Sequence, residues 1–162
     1  TDGPGSVKCL TAASRHKGTA VVEMLTNCVT FNNGSFDRIY SKEGRDENAL
    51  YLEDGKPMLF GKNKEYGIVQ HGFDLKVVKV GEGGYTLNDI LVHDSHCTDR
   101  TLHTKLSSLE GPDFPIVLGV IRDVSIPTYE EEIEKQIEEI SAKKSYHNFE
   151  ELMKTQHTWT IK

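Results

Sequence analysis

The sequence predicts an α/β fold carrying a β-rich insertion and a helical C-terminal tail, and three observations carry that prediction. A helix-type stretch, SVKCLTAASRHKG, passes through a glycine into the apolar, β-branched run TAVVEML, the order of half a βαβ unit. A second apolar run, FPIVLGVIR, follows far along the chain. After it comes PTYEEEIEKQIEEISAKK, whose apolar residues make one narrow stripe on an otherwise charged helix. The division expected is residues 1–126 for the α/β part, with the insertion at about 37–84, and residues 127–162 for the tail.

Val7, Leu10 and Ala13 recur at three-residue spacing, Ser6 is a capping residue, and Gly18 suits a left-handed helix end. TAVVEML is short, apolar and β-branched, so it reads as a buried strand. The strand that should precede this helix is missing, as in part of a larger domain. The opening TDGPGS contains Gly-Pro-Gly-Ser, a combination common in linker remnants, and carries no weight in this reading. Residues 37–66 are polar and irregular, while KPMLF and DLKVVKV read as strands, the latter with Leu75 and Val77 inward. Gly81, Gly83 and Gly84 mark a hairpin turn, and TLNDILVHD a short buried segment. Leu102, Leu106 and Leu109 place a helix at 98–109, and FPIVLGVIR is the second buried strand. In the tail, Thr128 with Glu131 forms a capping-box pattern, Ile133, Ile137 and Ile140 form the stripe, and a second helix starts at Asn148.

Composition narrows the function. The chain has 162 residues and a formal charge of −6. No dense Lys/Arg block offers a nucleic-acid footprint, and no apolar run approaches the roughly 20 residues of a membrane span. There is no secretory signal. Three cysteines, odd in number and widely spaced, are no disulfide framework and fit a reducing, cytoplasmic setting.

Few residues stand out as chemical. His93, His96, Cys97 and His103 are zinc-ligand types, but their spacing matches no closed site and a surface turn is the simpler reading. The glutamates at 130–139 suit a solvated helix face and the helix dipole. GEGGYT lacks the strand-turn-helix context of a phosphate loop. That leaves Cys28, at the mouth of the first apolar run and ahead of the Asn/Thr/Gly-rich loop VTFNNGSF. Strand ends are where α/β folds place ligands, whereas most free cysteines are small buried hydrophobes.

HKGTAVVEMLTNCVTFNNGSF resembles a signature of the β subunits of 2-oxoacid:ferredoxin oxidoreductases, most closely the 2-oxoglutarate branch. The resemblance runs in order through LYLEDGKPMLFG, DILVHD, FPIVLGVIR and PTYEEEI to the terminal TWTIK. It implies the C-terminal part of a thiamine-diphosphate-binding-type α/β domain. It also implies an enzyme that decarboxylates a 2-oxoacid with thiamine diphosphate and Mg2+, forms acyl-coenzyme A, and passes electrons through a [4Fe–4S] cluster to ferredoxin. In such subunits three cluster cysteines lie in the N-terminal half and the fourth is that of a C-x-T-F-N motif, here Cys28. Thr30, Asn32 and Asn33 are the implied cofactor-side residues, and no catalytic residue is assigned to this chain.

The departures are as informative as the match. The chain has no CxxC pair and no Gly-Asp-Gly…Asn thiamine motif, since EDGKP lacks the leading glycine. The expectation is therefore the C-terminal half of a subunit that binds neither cluster nor thiamine diphosphate alone. It would need the N-terminal half and an α subunit as partners. The rival readings are an assembly module acting through the isoleucine stripe and, third, a small zinc protein.

Overall fold

The computed structural model describes residues 2–154 together with Trp159 and Ile161, so the terminal TWTIK falls mostly outside the described residues. The chain divides into two compact units. One comprises Thr1–His16 and Ala20–Ser125, the other Lys17–Thr19 and Ile126–Lys162.

The first unit opens on helix α1 (Gly3–Arg15), which begins earlier than Ser6. Asp2 is the N-cap and accepts the Gly5 amide at 3.0 Å, and Pro4 sits in the first turn, where its missing N–H goes unneeded. Asp2 to Ser6 thus form the cap and first turn of the helix. The same Asp2 carboxylate accepts the Tyr51 hydroxyl at 3.0 Å, and burial together with that carboxylate holds the Tyr51 phenol above its ordinary range.

After α1 the prediction of a buried strand fails. Residues 19–27 make no backbone hydrogen bonds among the described residues, and Val21 is 89% and Met24 65% exposed. An apolar strand needs a neighbour on each edge and a layer on each face, and the described residues supply neither.

The stretch that reads as irregular holds two regular elements. A short 3-10 turn (Asp37–Ile39) leads into helix α2 (Lys42–Asn48), capped by the Ser41 hydroxyl accepting the Gly44 amide at 2.9 Å. Strand β1 (Ala49–Leu52) follows directly. It pairs in parallel with the later strand β5 (Ile116–Gly119), in register from Ala49 opposite Ile116 to Leu52 opposite Gly119. A Cβ on Gly119, whose φ is 105°, would stand 2.8 Å from the Leu52 carbonyl oxygen, so glycine is required where the strands close up. β5 is half-buried rather than fully buried because, among the described residues, its sheet has two strands.

Between these strands lies an antiparallel sheet of order β2–β3–β4, from Leu59–Phe60, Tyr66–His71 and Asp74–Lys79. Leu75 and Val77 face inward as expected. The middle strand β3 has no counterpart in the sequence reading. It is joined to β4 by a two-residue turn at Gly72 (φ 61°) and Phe73. Gly67 in β3 is another required glycine, because an added Cβ would lie 2.5 Å from Ile90 Cδ1. Gly81, Gly83 and Gly84 all take positive φ, but they lead into a 3-10 turn (Leu87–Asp89) and not into a strand.

One core unites both sheets. Leu50 and Leu52 of β1 pack with Met58, Phe60, Ile68, Leu75 and Leu106, the last from helix α3 (Thr101–Ser107). The antiparallel sheet, placed by sequence in an insertion, thus shares its apolar interior with the parallel pair.

In the second unit, helix α4 (Tyr129–Ala142) carries the expected capping box: Thr128 and Glu131 bond each other's backbone amides at 3.0 and 3.3 Å. Lys17 adds an ion pair to Glu131 at 2.8 Å. Helix α5 (Phe149–Lys154) starts after Asn148, whose side chain accepts the Glu151 amide at 2.9 Å. Ile137 and Ile140 of the stripe are exposed.

Candidate functional site

The loop at 27–36 is built from its own polar residues. The Asn27 side chain donates to Asn33 Oδ1 at 3.0 Å and accepts the Gly34 amide at 3.0 Å. Ser35 Oγ donates to the Asn32 carbonyl at 2.8 Å, and the Asn32 amide donates to the Cys28 carbonyl at 2.9 Å. These bonds curl the loop back on itself, with the Asn32 amide closing on the Cys28 carbonyl. The thiol is exposed, and backbone N–H groups of Phe31, Thr30 and Asn32, in that order, hold it below the ordinary thiol range. Amides converging on one sulfur stabilise its anionic, metal-ligating form.

The other sequence-derived site residues divide by role. Asn33 spends its side-chain oxygen bracing the loop. Asn32 contributes both backbone groups to the curl, and its side chain makes no hydrogen bond within the described structure. The Thr30 amide is among the groups that hold the Cys28 thiol below its ordinary range. All three are exposed, as is Phe31 at 90%. The loop is thus a preformed curl on an open surface.

The zinc-type residues have other work. His93 and His103 are buried, with His93 Nε2 on the Val120 carbonyl at 2.9 Å and His103 Nε2 on the Asp94 carbonyl at 2.8 Å. Nδ1 of His103 takes an Arg122 N–H at 3.0 Å. His96 Nδ1 lies 2.6 Å from the Asp123 carbonyl, a bond that raises its basicity. Cys97 is exposed. Among the described residues no group of three or more His, Cys, Asp or Glu side chains could hold a metal ion.

Sequence reasoning missed a polar network beyond the carboxyl ends of β1 and β5. Asp54 Oδ1 accepts both the amide and hydroxyl of Ser95 at 2.8 Å, which holds its carboxyl below the ordinary range. The Ser95 carbonyl accepts the Asp123 amide at 2.8 Å, and the Asp123 carboxylate meets His16 Nδ1 at 2.7 Å. No local motif signals these pairs, since they span large sequence separations. An open cleft of about 470 Å³ lies elsewhere, lined by Arg38, Lys62, Glu65 and Tyr66 among others, and includes no residue of 27–36.

Tested against the groups that the resemblance implies, the residues fit in part. Cys28 suits one thiolate ligand of an iron–sulfur cluster, which needs four ligands in all. The described residues provide no cluster of three or more His, Cys, Asp or Glu side chains for Mg2+.

Fold and loop together define a partial α/β domain with the exposed Cys28 at the start of a polar, self-braced loop. One curated relative gives this a context: the 2-oxoglutarate oxidoreductase subunit KorB of Mycobacterium tuberculosis is 35% identical over 166 residues. The alignment takes in 99% of this chain and 43% of KorB, in a C-terminal part of it. The chain is therefore similar over nearly its whole length to less than half of that relative. No family model matches the chain, and no solved structure matches it. No helix among the described residues is long and apolar enough to cross a membrane.

Proposed function

We propose that this chain is the C-terminal portion of the β subunit of a 2-oxoglutarate:ferredoxin oxidoreductase. The intact enzyme converts a 2-oxoacid and coenzyme A into acyl-coenzyme A and CO2, giving the electrons to ferredoxin. Whole-length similarity to a 2-oxoglutarate oxidoreductase subunit supports the class and substrate. The observation that carries the site is the exposed Cys28 thiol at the start of a polar loop closed by its own hydrogen bonds.

In this reading Cys28 is one of four ligands to a [4Fe–4S] cluster, and the other three belong to the N-terminal half of the subunit. Thiamine diphosphate, held with Mg2+ outside this chain, supplies the electron sink for decarboxylation. The amides of Thr30, Phe31 and Asn32 lower the charge density on the cluster-side sulfur, which tunes its potential. Thr30 and Asn32 are the residues assigned to cofactor contact, while Asn33 holds the loop's shape. The chain alone is inactive, and a cytoplasmic α subunit completes the enzyme.

The test is anoxic reconstitution of the intact β subunit with its α subunit, as wild type and Cys28→Ser. The wild type should take up a full cluster and reduce ferredoxin with 2-oxoglutarate, and the variant should lose cluster absorbance and ferredoxin reduction together. Equal iron content and activity in the variant would return Cys28 to the role of a loop residue.

A further inference from the structure

We infer that Asn33–Gly34, in the loop after Cys28, is a deamidation site, and that the Asn27 side chain holds it in check in the folded chain. The inference stands on the loop's geometry and does not depend on the functional reading above.

The reaction is intramolecular. The Gly34 amide nitrogen attacks the side-chain carbonyl carbon of Asn33 and bonds to it. The bond from that carbon to Nδ2 breaks, and ammonia leaves with the proton that the Gly34 amide gives up. The resulting succinimide takes up water and opens to aspartate or isoaspartate, so no oxidant or reductant enters. A Cβ on the following residue hinders the attack, which makes glycine the most permissive neighbour. Asn33–Gly34 is the one Asn-Gly pair of the sequence. Asn33 is exposed to water.

The loop cannot dispense with this glycine. Gly34 has a φ of 83°, and a Cβ built on it would lie 3.0 Å from an Asp37 carboxylate oxygen. The Gly34 carbonyl accepts the Asp37 amide at 3.1 Å, which ties this conformation to the 3-10 turn that follows. The labile pair is therefore a consequence of how the chain turns here.

Asn27 engages both reacting groups at once. Its Oδ1 accepts the Gly34 N–H at 3.0 Å, and its Nδ2 donates to Asn33 Oδ1 at 3.0 Å. Attack requires the Gly34 nitrogen to lose its proton and the Asn33 carbonyl carbon to swing onto it, so both bonds must open first. The outcome matters for the neighbouring thiol. Isoaspartate routes the main chain through the side-chain carbon and lengthens the backbone inside the curl that closes on the Cys28 carbonyl.

The experiment is timed incubation of the 162-residue chain at neutral pH, folded and unfolded in urea. Peptide mapping by mass reads deamidation at each asparagine, and labelling by an isoaspartyl methyltransferase reads isoaspartate. Asn33 should deamidate about tenfold or more slowly in the folded wild type than in urea, because two hydrogen bonds must open together. Asn27→Ala should bring the folded rate to within about threefold of the urea rate, with the melting midpoint unchanged because Asn27 is exposed. Asn27→Asp keeps the acceptor for Gly34 and loses the donor to Asn33, so its rate should fall between the two. Equal rates in folded and unfolded wild type would overturn the protection. A slow folded rate that both Asn27 variants leave unchanged would overturn the part given to Asn27. Deamidation in urea that maps only to other asparagines would overturn the site itself.

Discussion

Two regions of the first unit carry the same kind of sequence and meet opposite fates. In the strands around Leu50, Ile68 and Leu75, apolar residues vanish into a shared interior, with Leu50, Ile68 and Leu106 fully buried. In the run before Cys28, valines, a methionine and a leucine of equal hydrophobicity stand in solvent. Burying each such side chain contributes about 1.5–3 kcal/mol, whichever region it belongs to. The difference lies only in whether a partner surface is present. Hydrophobic patterning tells which segments must be covered, and says nothing of where the cover comes from.

The largest break in that comparison should come from cavity substitutions. Leu106→Ala or Ile68→Ala should each cost about 2–5 kcal/mol in urea unfolding of the chain, whereas Val21→Ala should shift the midpoint by less than about 0.5 kcal/mol. Equal costs would mean that the run before Cys28 is packed in solution. Next in size is Gly67→Ala, which drives a Cβ into Ile90 and should cost about 1–3 kcal/mol. Ile90→Val should recover part of that loss when combined with it, and additivity would show that the two positions do not touch.

A smaller effect is carried by charge. Because Asp54 is held below the ordinary carboxylate range by Ser95, its folded form binds protons less readily than its unfolded form. Its contribution is fully present above the unfolded value of about 4 and is lost as pH falls through the lower folded value. Asp54→Asn should therefore destabilise the chain at pH 6 and bring wild type and variant together in the most acidic melts. A constant gap between them across that range would show that the carboxylate's charge is irrelevant. The smallest effect is local to the open region: in a Cys9→Ser, Cys97→Ser background, alkylation of Cys28 should reach half-maximal rate at lower pH in the folded chain than in urea. Coincident profiles would mean that the curl does nothing for the sulfur.

The parts legible in sequence were those settled by neighbours a few residues apart. The Thr128–Glu131 box, the Asn148 cap and the leucines of α3 each report a local hydrogen bond or a helical face. Helix α2 was invisible because KEGRDEN has no apolar period; its end is held by Asn48 donating to the Arg38 and Gly44 carbonyls at 3.2 and 3.0 Å. Strand β3 was hidden because its apolar residues, Ile68 and Val69, are flanked by Tyr66, Gly67 and Gln70 and match neither period cleanly. At the site, Cys28 and its loop could be singled out by residue type, yet the closing of the Asn32 amide on the Cys28 carbonyl is a matter of backbone curvature.

By itself, the sequence determined the class of fold, the segments that seek burial, the tail's helices and the cysteine on which the proposed function turns. Tertiary structure alone decided that β1 crosses to β5, that the antiparallel sheet joins the same core, and that Asp54, Ser95, Asp123 and His16 form one network. It alone decided that the run before Cys28 lies open in this chain. The physical reason is common to all four. Caps, turns and periodicity are fixed by interactions within a few residues, whereas pairing and burial depend on which distant surfaces are present to meet.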